Sequence, residues 1–256
     1  MEIALQFVLL ALGFVMLGKG ADWFVEGAAG IAMRFGIPQL VIGLTIVAMG
    51  TSAPEAAVSI AAAVKGNADI TIGNIVGSNI LNILVILGLA ASIVPIAVAR
   101  SPVRIELPFM IGVTALLFYQ GRDSSISLAD GGVLMVAFAA YMMYLYTMAM
   151  KSNVDSDLEE PGLPLGRCLL GAVGGLALII AGSNVTVGAA TSIATYAGLS
   201  ERFIGLTIVA LGTSLPELFT SVAAARRGNA DIAIGNIVGS NIFNILFVVG
   251  LSSLII

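Results

Sequence analysis

Apolar residues run along this chain in long stretches, without the strict alternation of a half-buried strand and without the narrow stripe of a water-facing helix. Eight such stretches cover roughly residues 3–34, 38–64, 69–95, 103–119, 126–150, 167–197, 203–225 and 231–256. Nearly all reach the ~20 mostly apolar residues that a helix needs to cross a bilayer. Turn and charge signals separate them: Arg34 to Pro38, Lys65-Gly66-Asn67, Arg100 to Pro102 and Gly121-Arg122-Asp123. The alternating pattern of a transmembrane barrel is absent. The pattern therefore predicts an all-α integral membrane protein of about eight transmembrane helices. Residues 3–18 resemble the apolar core of a signal peptide, but no small-residue cleavage site follows, so they read as a retained helix.

Organisation follows from the one real linker, the acidic segment 151–165. A first half, 1–150, carries five spans, and a second half, 166–256, carries three. The chain is 59% hydrophobic and only 10% charged, against about 25% charged in ordinary soluble domains. That agrees with a bilayer as solvent. Net charge is −4 with no basic block, which argues against a nucleic-acid partner. The chain has no histidine, which excludes imidazole metal sites, triads and His proton relays, and one cysteine, Cys168, so no internal disulfide forms. Lys and Arg placement sets orientation. Connections 1–2, 3–4, 5–6 and 7–8 hold Arg34, Arg100, Arg104, Lys151, Arg167, Arg226 and Arg227, while the other side holds Lys65, Arg122 and Arg202. The richer side should be cytoplasmic, along with linker 151–165, leaving both termini extracytoplasmic in a multi-pass cell-membrane protein.

A repeat dominates the sequence. Residues 36–94 align with 198–256 without a gap, and 37 of the 59 positions are identical. GLTIVAMGTSAPE (43–55) returns as GLTIVALGTSLPE (205–217), and GNADITIGNIVGSNILNIL (66–84) as GNADIAIGNIVGSNIFNIL (228–246). The offset of 162 extends faintly upstream, matching Gly20 to Gly182 and Val25 to Val187. Five spans precede the second copy, and an odd number inverts it in the membrane. Inverted repeats are a common build of secondary transporters, because exchanging the conformations of the two halves yields outward- and inward-facing states.

Each copy interrupts an apolar span with Gly-Thr-Ser-x-Pro-Glu. Gly50 with Pro54, and Gly212 with Pro216, disfavour regular helix, and proline frees a carbonyl one turn back. Two discontinuous helices result, with Glu55 and Glu217 near mid-membrane. A charge there costs ~2.5–3.5 kcal/mol on insertion scales, and no Lys or Arg in these segments offsets it, so a mobile cation is the natural partner. Around the carboxylates stand Thr51, Ser52, Thr213, Ser214 and carbonyls near Ala48 and Ala210. On the following span of each copy, Ser78 and Asn82 share one helix face, as do Ser240 and Asn244. This all-oxygen set suits Ca²⁺ or Na⁺ rather than zinc or copper. Gly73, Gly77, Gly235 and Gly239 allow close helix packing. Lys19, Asp22 and Glu26 stand at helical spacing, which predicts local pairing. Their counterparts Ala181, Asn184 and Gly188 are uncharged.

With GTSAPE at 50–55, GTSLPE at 212–217 and two GNIVGSNI-x-N segments at 73–82 and 235–244, the sequence resembles the calcium/cation antiporter superfamily, and prokaryotic sodium/calcium exchangers in particular. The resemblance implies Na⁺/Ca²⁺ exchange by alternating access, typically three Na⁺ for one Ca²⁺. It implies a carrier rather than an enzyme, with transported ions in place of cofactors. Glu55 and Glu217 would be shared ligands, with the carbonyls of Thr51 and Thr213 completing the calcium site. Ser52, Ser78 and the Ala48 carbonyl would form one sodium site, and Ser214, Ser240 and the Ala210 carbonyl the other. Asn82 and Asn244 would border a central position, and the first and sixth helices would slide to switch access. Similar exchangers often have ten helices, five plus five. Here the counterparts of spans four and five are missing, as in a truncation or a shortened member. Asn244 stands where some relatives carry Asp. A proton/calcium antiporter, a cation channel and a nontransporting membrane scaffold stay open as alternatives, as do H⁺ and K⁺ as coupled ions.

Overall fold

The computed structural model describes residues 2–93, 102–123, 125–152 and 163–255. Arg100 and most of linker 151–165 lie outside them. Among the described residues, six unbroken helices and two bent pairs are long and apolar enough to cross a membrane, giving the eight spans expected. Helix α1 is Glu2–Phe35. The second span is bent by 51° between α2, Gln39–Thr51, and α3, Ala53–Val64. Then follow α4 (Ala68–Ile93), α5 (Pro102–Asp123), α6 (Leu128–Ser152) and α7 (Leu165–Tyr196). The seventh span is bent by 49° between α8 (201–213) and α9, Leu215–Arg226, and α10 is Ala230–Ile255. Large apolar side chains such as Phe7, Phe118, Val136 and Leu170 face outward, as lipid-bathed helices require.

Punctuation repeats along with sequence. Gly36 and its mate Gly198, and Gly66 and its mate Gly228, end helices with positive φ of 61°, 81°, 74° and 78°. A left-handed residue after the last turn lets the chain reverse while its amide and the next cap the open carbonyls. Ser52 (φ −80°, ψ 6°) and Ser214 (φ −90°, ψ 4°) leave helical geometry at the two bends. Pro54 and Pro216 then sit in the first turn of α3 and α9, where a missing amide costs nothing.

Helices α1 and α7 are the first elements of the two copies, and they pack antiparallel along most of their length. Gly13 meets Gly182 and Thr186, Gly20 meets Gly175 and Ile179, and Gly27 meets Cys168 and Ala172. This order of contacts shows the inversion directly. Glycines at 13, 20 and 27 keep one face of α1 free of side chains, so backbones touch. Cys168 is buried in this seam against Gly30.

The inverted copies interleave: α2 of the first packs on α10 of the second, and α8 of the second on α4 of the first. Their surroundings differ. Helices α5 and α6 cover α10, whose window is 94% buried, whereas the matching window of α4 is 28% buried. Among the described residues no second α5–α6 pair covers α4. One expectation fails here. Asp22 and Glu26 do not pair with Lys19; they bind Arg227 at the end of α9, with N–O distances of 3.4 and 3.3 Å. Inter-helix reach wins because α9 ends beside α1.

A Cβ at Gly20 would lie 2.9 Å from the Gly175 carbonyl oxygen and the Ile179 amide, while Gly18 has nothing within 4 Å. Gly20→Val should therefore lower the thermal midpoint in detergent by several degrees, the effect of ~1–3 kcal/mol of overpacking, and Gly18→Val should leave it unchanged. Scanning fluorimetry of both variants checks this.

Candidate ion-binding site

Each helix break delivers its glutamate to the opposite copy. Glu55 and Glu217 stand in the first turn of α3 and α9, both 1% exposed. Ser52 Oγ donates to Glu217 Oε1 at 2.8 Å, and Ser214 Oγ donates to Glu55 Oε1 at 3.1 Å. The two carboxylates therefore converge on one place between the breaks. Helix N-termini point at them and carry partial positive charge. The C-terminal ends of α2 and α8, carrying partial negative charge, end at Thr51 and Thr213 beside the same place. Half-helix ends of this kind hold ions and polar substrates in carriers with inverted repeats.

Asparagines, half-buried Asn74 and fully buried Asn236, brace the carboxylate-bearing turns. Asn74 Nδ2 donates to the Glu55 carbonyl (3.3 Å) and Ser59 Oγ (3.0 Å). Its mate Asn236 donates to the Glu217 carbonyl (3.3 Å) and Ser221 Oγ (2.9 Å). Farther along, Asn82 and Asn244 open π-helical turns at Asn82–Leu87 and Asn244–Val249, the wide turns that recur at functional sites. Asn82 Nδ2 donates to Asn241 Oδ1 at 2.9 Å, and Asn244 Nδ2 to Asn79 Oδ1 at 3.1 Å.

What remains unpaired decides the chemistry. Glu55 Oε2, Glu217 Oε2, Asn82 Oδ1 and Asn244 Oδ1 are buried and have no hydrogen-bond partner in the protein. Buried oxygens without partners are rare and costly. Among the described residues, five other buried side-chain polar atoms lack partners, but none has a repeat mate in the same state. These four form two symmetric pairs, and all are acceptors, which is what a desolvated cation needs.

Ten of the twelve expected residues are buried, and two of the expected arrangements change. Thr51, Ser52, Ser78, Asn82, Ser214, Ser240 and Asn244 are buried, and Ala48 is fully enclosed. Their grouping crosses between the copies. Ser240 Oγ donates to the Ala48 carbonyl at 3.4 Å, and Ser214 Oγ lies 3.5 Å from Ser78 Oγ. Ala48 and Ser52 thus sit with Ser240 and Glu217, and Ser214 with Ser78 and Glu55, because each broken span packs on the other copy's fourth helix. The sets expected from the sequence, Ser52 with Ser78 and Ser214 with Ser240, are corrected accordingly. The carbonyls also differ from expectation. Ala48 keeps its helical bond from the Ser52 amide (3.0 Å), and the oxygen that Pro216 frees is that of Gly212, which accepts from Ser183 Oγ at 2.8 Å. Asn74, Asn236, Ser59, Ser221, Asn79 and Asn241 escaped notice as site residues. Their signal was available: each is a polar residue in an apolar span, identical in both copies.

The two arms of the site are not equivalent. A Cβ at Gly239 would lie 2.8 Å from the Ala48 Cβ and from Leu44, so α10 presses α2 shut. At its mate Gly77 nothing lies within 4 Å, so α8 packs on α4 less closely than α2 packs on α10. Ala210 is exposed and Thr213 half-buried, whereas Ala48 and Thr51 are fully buried.

An inverted duplication, two broken helices and a buried all-oxygen site shared between the copies define a membrane carrier for cations. The comparisons agree. The model of the family described as "Sodium/calcium exchanger protein" matches residues 5–147 and 168–256, so this chain belongs to the sodium/calcium exchanger family of cation antiporters. It is 42% identical to the putative antiporter CaxA of Alkalimonas amylolytica over 100% of this chain and 82% of that protein. It is 35% identical to the sodium/calcium exchanger MaX1 of Methanosarcina acetivorans, over 98% of this chain and 83% of that protein. A solved structure of the sodium-calcium exchanger NCX_Mj, soaked with Na⁺ and Sr²⁺, superposes with a TM-score of 0.88 at 35% identity, covering 99% of this chain and 83% of that one.

Repeat mates Thr51 and Thr213 test the asymmetry. A charged, membrane-impermeant thiol reagent should modify Thr213→Cys quickly and Thr51→Cys at least tenfold more slowly, while buried Cys168 stays silent. Equal rates would mean that the two arms are equally open to water and would contradict the asymmetry.

Proposed function

We propose that this protein exchanges Na⁺ for Ca²⁺ by alternating access, with Glu55 and Glu217 as ligands shared by both ions. The reciprocal hold on these carboxylates, with four buried acceptor oxygens left over, carries the reading. One Ca²⁺ balances the two carboxylates, and so can Na⁺ ions. Because the ligands are shared, the two loads exclude each other, and mutual exclusion is the physical basis of exchange. An empty site would drag uncompensated charge through the apolar barrier, so switching is easy only when ions are bound. Oxygen donors alone, hydroxyl and carbonyl included, match both hard cations. MaX1 is named as a sodium/calcium exchanger, and NCX_Mj was studied with Na⁺, Ca²⁺ and Sr²⁺.

In this reading the carbonyls of Thr51 and Thr213 face the calcium position between the glutamates. Ala48, Ser52 and Ser240 line one flanking sodium position, and Ala210, Ser214 and Ser78 the other. With Asn82 and Asn244 at the centre, the pocket has two formal charges rather than three. If three Na⁺ exchange for one Ca²⁺, one net charge crosses per cycle, worth ~2.3 kcal/mol per 100 mV. The Lys and Arg bias places both termini outside, which makes the open α8 arm the extracytoplasmic one and the state outward-facing. The inward-facing state is its mirror, with α4 closed on α8 and α10 drawn away from α2.

In proteoliposomes, an outward Na⁺ gradient should drive ⁴⁵Ca²⁺ uptake, and Glu55→Gln or Glu217→Gln should lower it at least a hundredfold, the scale of losing a charged ligand. Undiminished flux in both variants would refute the shared-ligand role. Uptake that follows a pH gradient and ignores Na⁺ would make the coupling ion a proton. Mirror closure adds a second expectation. Gly77→Val should keep Ca²⁺ binding yet abolish exchange, because its side chain meets nothing in the outward-facing state and blocks α4 from closing on α8.

A further inference from the structure

Where α4 crosses α10, four asparagines form a closed pattern that the ligand assignments above do not use. Asn79 Nδ2 donates to the Asn241 backbone carbonyl at 3.1 Å, and Asn241 Nδ2 donates to the Asn79 carbonyl at 3.3 Å. A backbone carbonyl can only accept. It therefore dictates which end of each of these two amides it meets, and the other end, Oδ1, is turned away. That oxygen is where the amide of the central asparagine arrives: Asn82 Nδ2 on Asn241 Oδ1, and Asn244 Nδ2 on Asn79 Oδ1. An oxygen can only accept, so the central amides must approach with nitrogen and present oxygen on their far side. Those far oxygens, Asn82 Oδ1 and Asn244 Oδ1, are buried and left without a partner.

We propose that Asn79 and Asn241 are positioning residues that set the polarity of the ion site, each holding the central amide of the opposite copy with its oxygen toward the cation. The inference rests on the reading that Glu55 and Glu217 enclose that cation. An unrestrained asparagine offers a donor and an acceptor of nearly equal shape. Turned the wrong way, Asn82 would point two N–H groups at a bound cation. Here two relays, each starting from a backbone carbonyl of fixed polarity, remove that option. Hydrogen bonds in series also polarise one another, so the terminal Oδ1 is a stronger ligand than a free amide oxygen, without a third buried charge. Each relay crosses from one copy to the other, so the same bonds pin α4 to α10 at the centre and leave the flanking arms as the moving parts.

Calcium titration of the purified protein, its Asn241→Ala and Asn82→Asp variants and the double variant tests this. Asn241→Ala should weaken Ca²⁺ binding by ~10–100-fold, the usual effect of losing a residue that orients a ligand. Asn82→Asp shows oxygen whichever way it turns, so in that background Asn241→Ala should cost no affinity, or even restore some by removing an oxygen that repels the new carboxylate. An equal loss in both backgrounds would make Asn241 a helix clasp only and overturn the proposal, as would full affinity in a folded Asn241→Ala. Should Asn241→Ala fail to fold, the mirror cycle of Asn79→Ala with Asn244→Asp gives the same test. Glu55→Gln in the same titration separates the two levels. If it keeps full affinity, the shared-carboxylate reading falls and this inference with it. If it loses affinity while the asparagine cycle is additive, only the inference falls.

Discussion

Two buried carboxylates at the helix breaks, each held by a serine of the other copy, are the constraint from which the architecture follows. A buried charge needs opposite charge, hydrogen bonds or both, and among the described residues no cationic side chain bonds to either glutamate. Ser52 and Ser214 satisfy one oxygen of each glutamate, and the second oxygen stays free. Broken helices serve the same end. A continuous helix would keep its terminal dipoles at the membrane surface, whereas a break at mid-depth brings two N-termini to the carboxylates and two C-termini to the cation. The pairing works only if the copies interleave, and inversion about a common centre supplies that.

Symmetry of sequence does not force symmetry of packing. Helices α4 and α10 are identical at 18 of 26 positions, yet α10 is pressed onto α2 through Gly235 and Gly239 and flanked by α5 and α6, while Cβ atoms at the matching glycines of α4 would meet nothing. One sequence thus shows two packings at once, one closed and one open. This is the arrangement an alternating-access carrier uses, since exchanging the two packings moves the opening from one side of the site to the other without changing the site's ligands. The glycines are permissive in both. They allow backbone contact where the arm is shut and leave no bulk behind where it is open.

Much of this was legible in the chain. Eight apolar stretches gave eight spans with ends within a few residues, because turns are marked by Gly-Asn-Ala-Asp and by proline, and lipid tolerates no unsatisfied backbone to blur them. The repeat and its odd spacing gave the inversion, and duplicated polar residues inside apolar helices gave Glu55, Glu217 and their neighbours. What stayed hidden depends on distance between copies. Grouping Ser78 with Ser52 assumed that a copy folds on itself, whereas the interleaving puts Ser78 beside Ser214. Asp22 and Glu26 suggested a local pair with Lys19, but the nearer partner, Arg227, comes from 201 and more residues away. The asparagine relay was hidden for the same reason, since its members alternate between α4 and α10. The glycine seam of α1 could have been found from the seven-residue spacing of Gly13, Gly20 and Gly27 alone.

Competition for a single set of ligands is the central claim, and calorimetric titration of Ca²⁺ into the purified protein tests it most directly. The account predicts saturable Ca²⁺ binding that weakens progressively as Na⁺ replaces an inert cation at constant ionic strength. Calcium affinity that is indifferent to Na⁺ would contradict it.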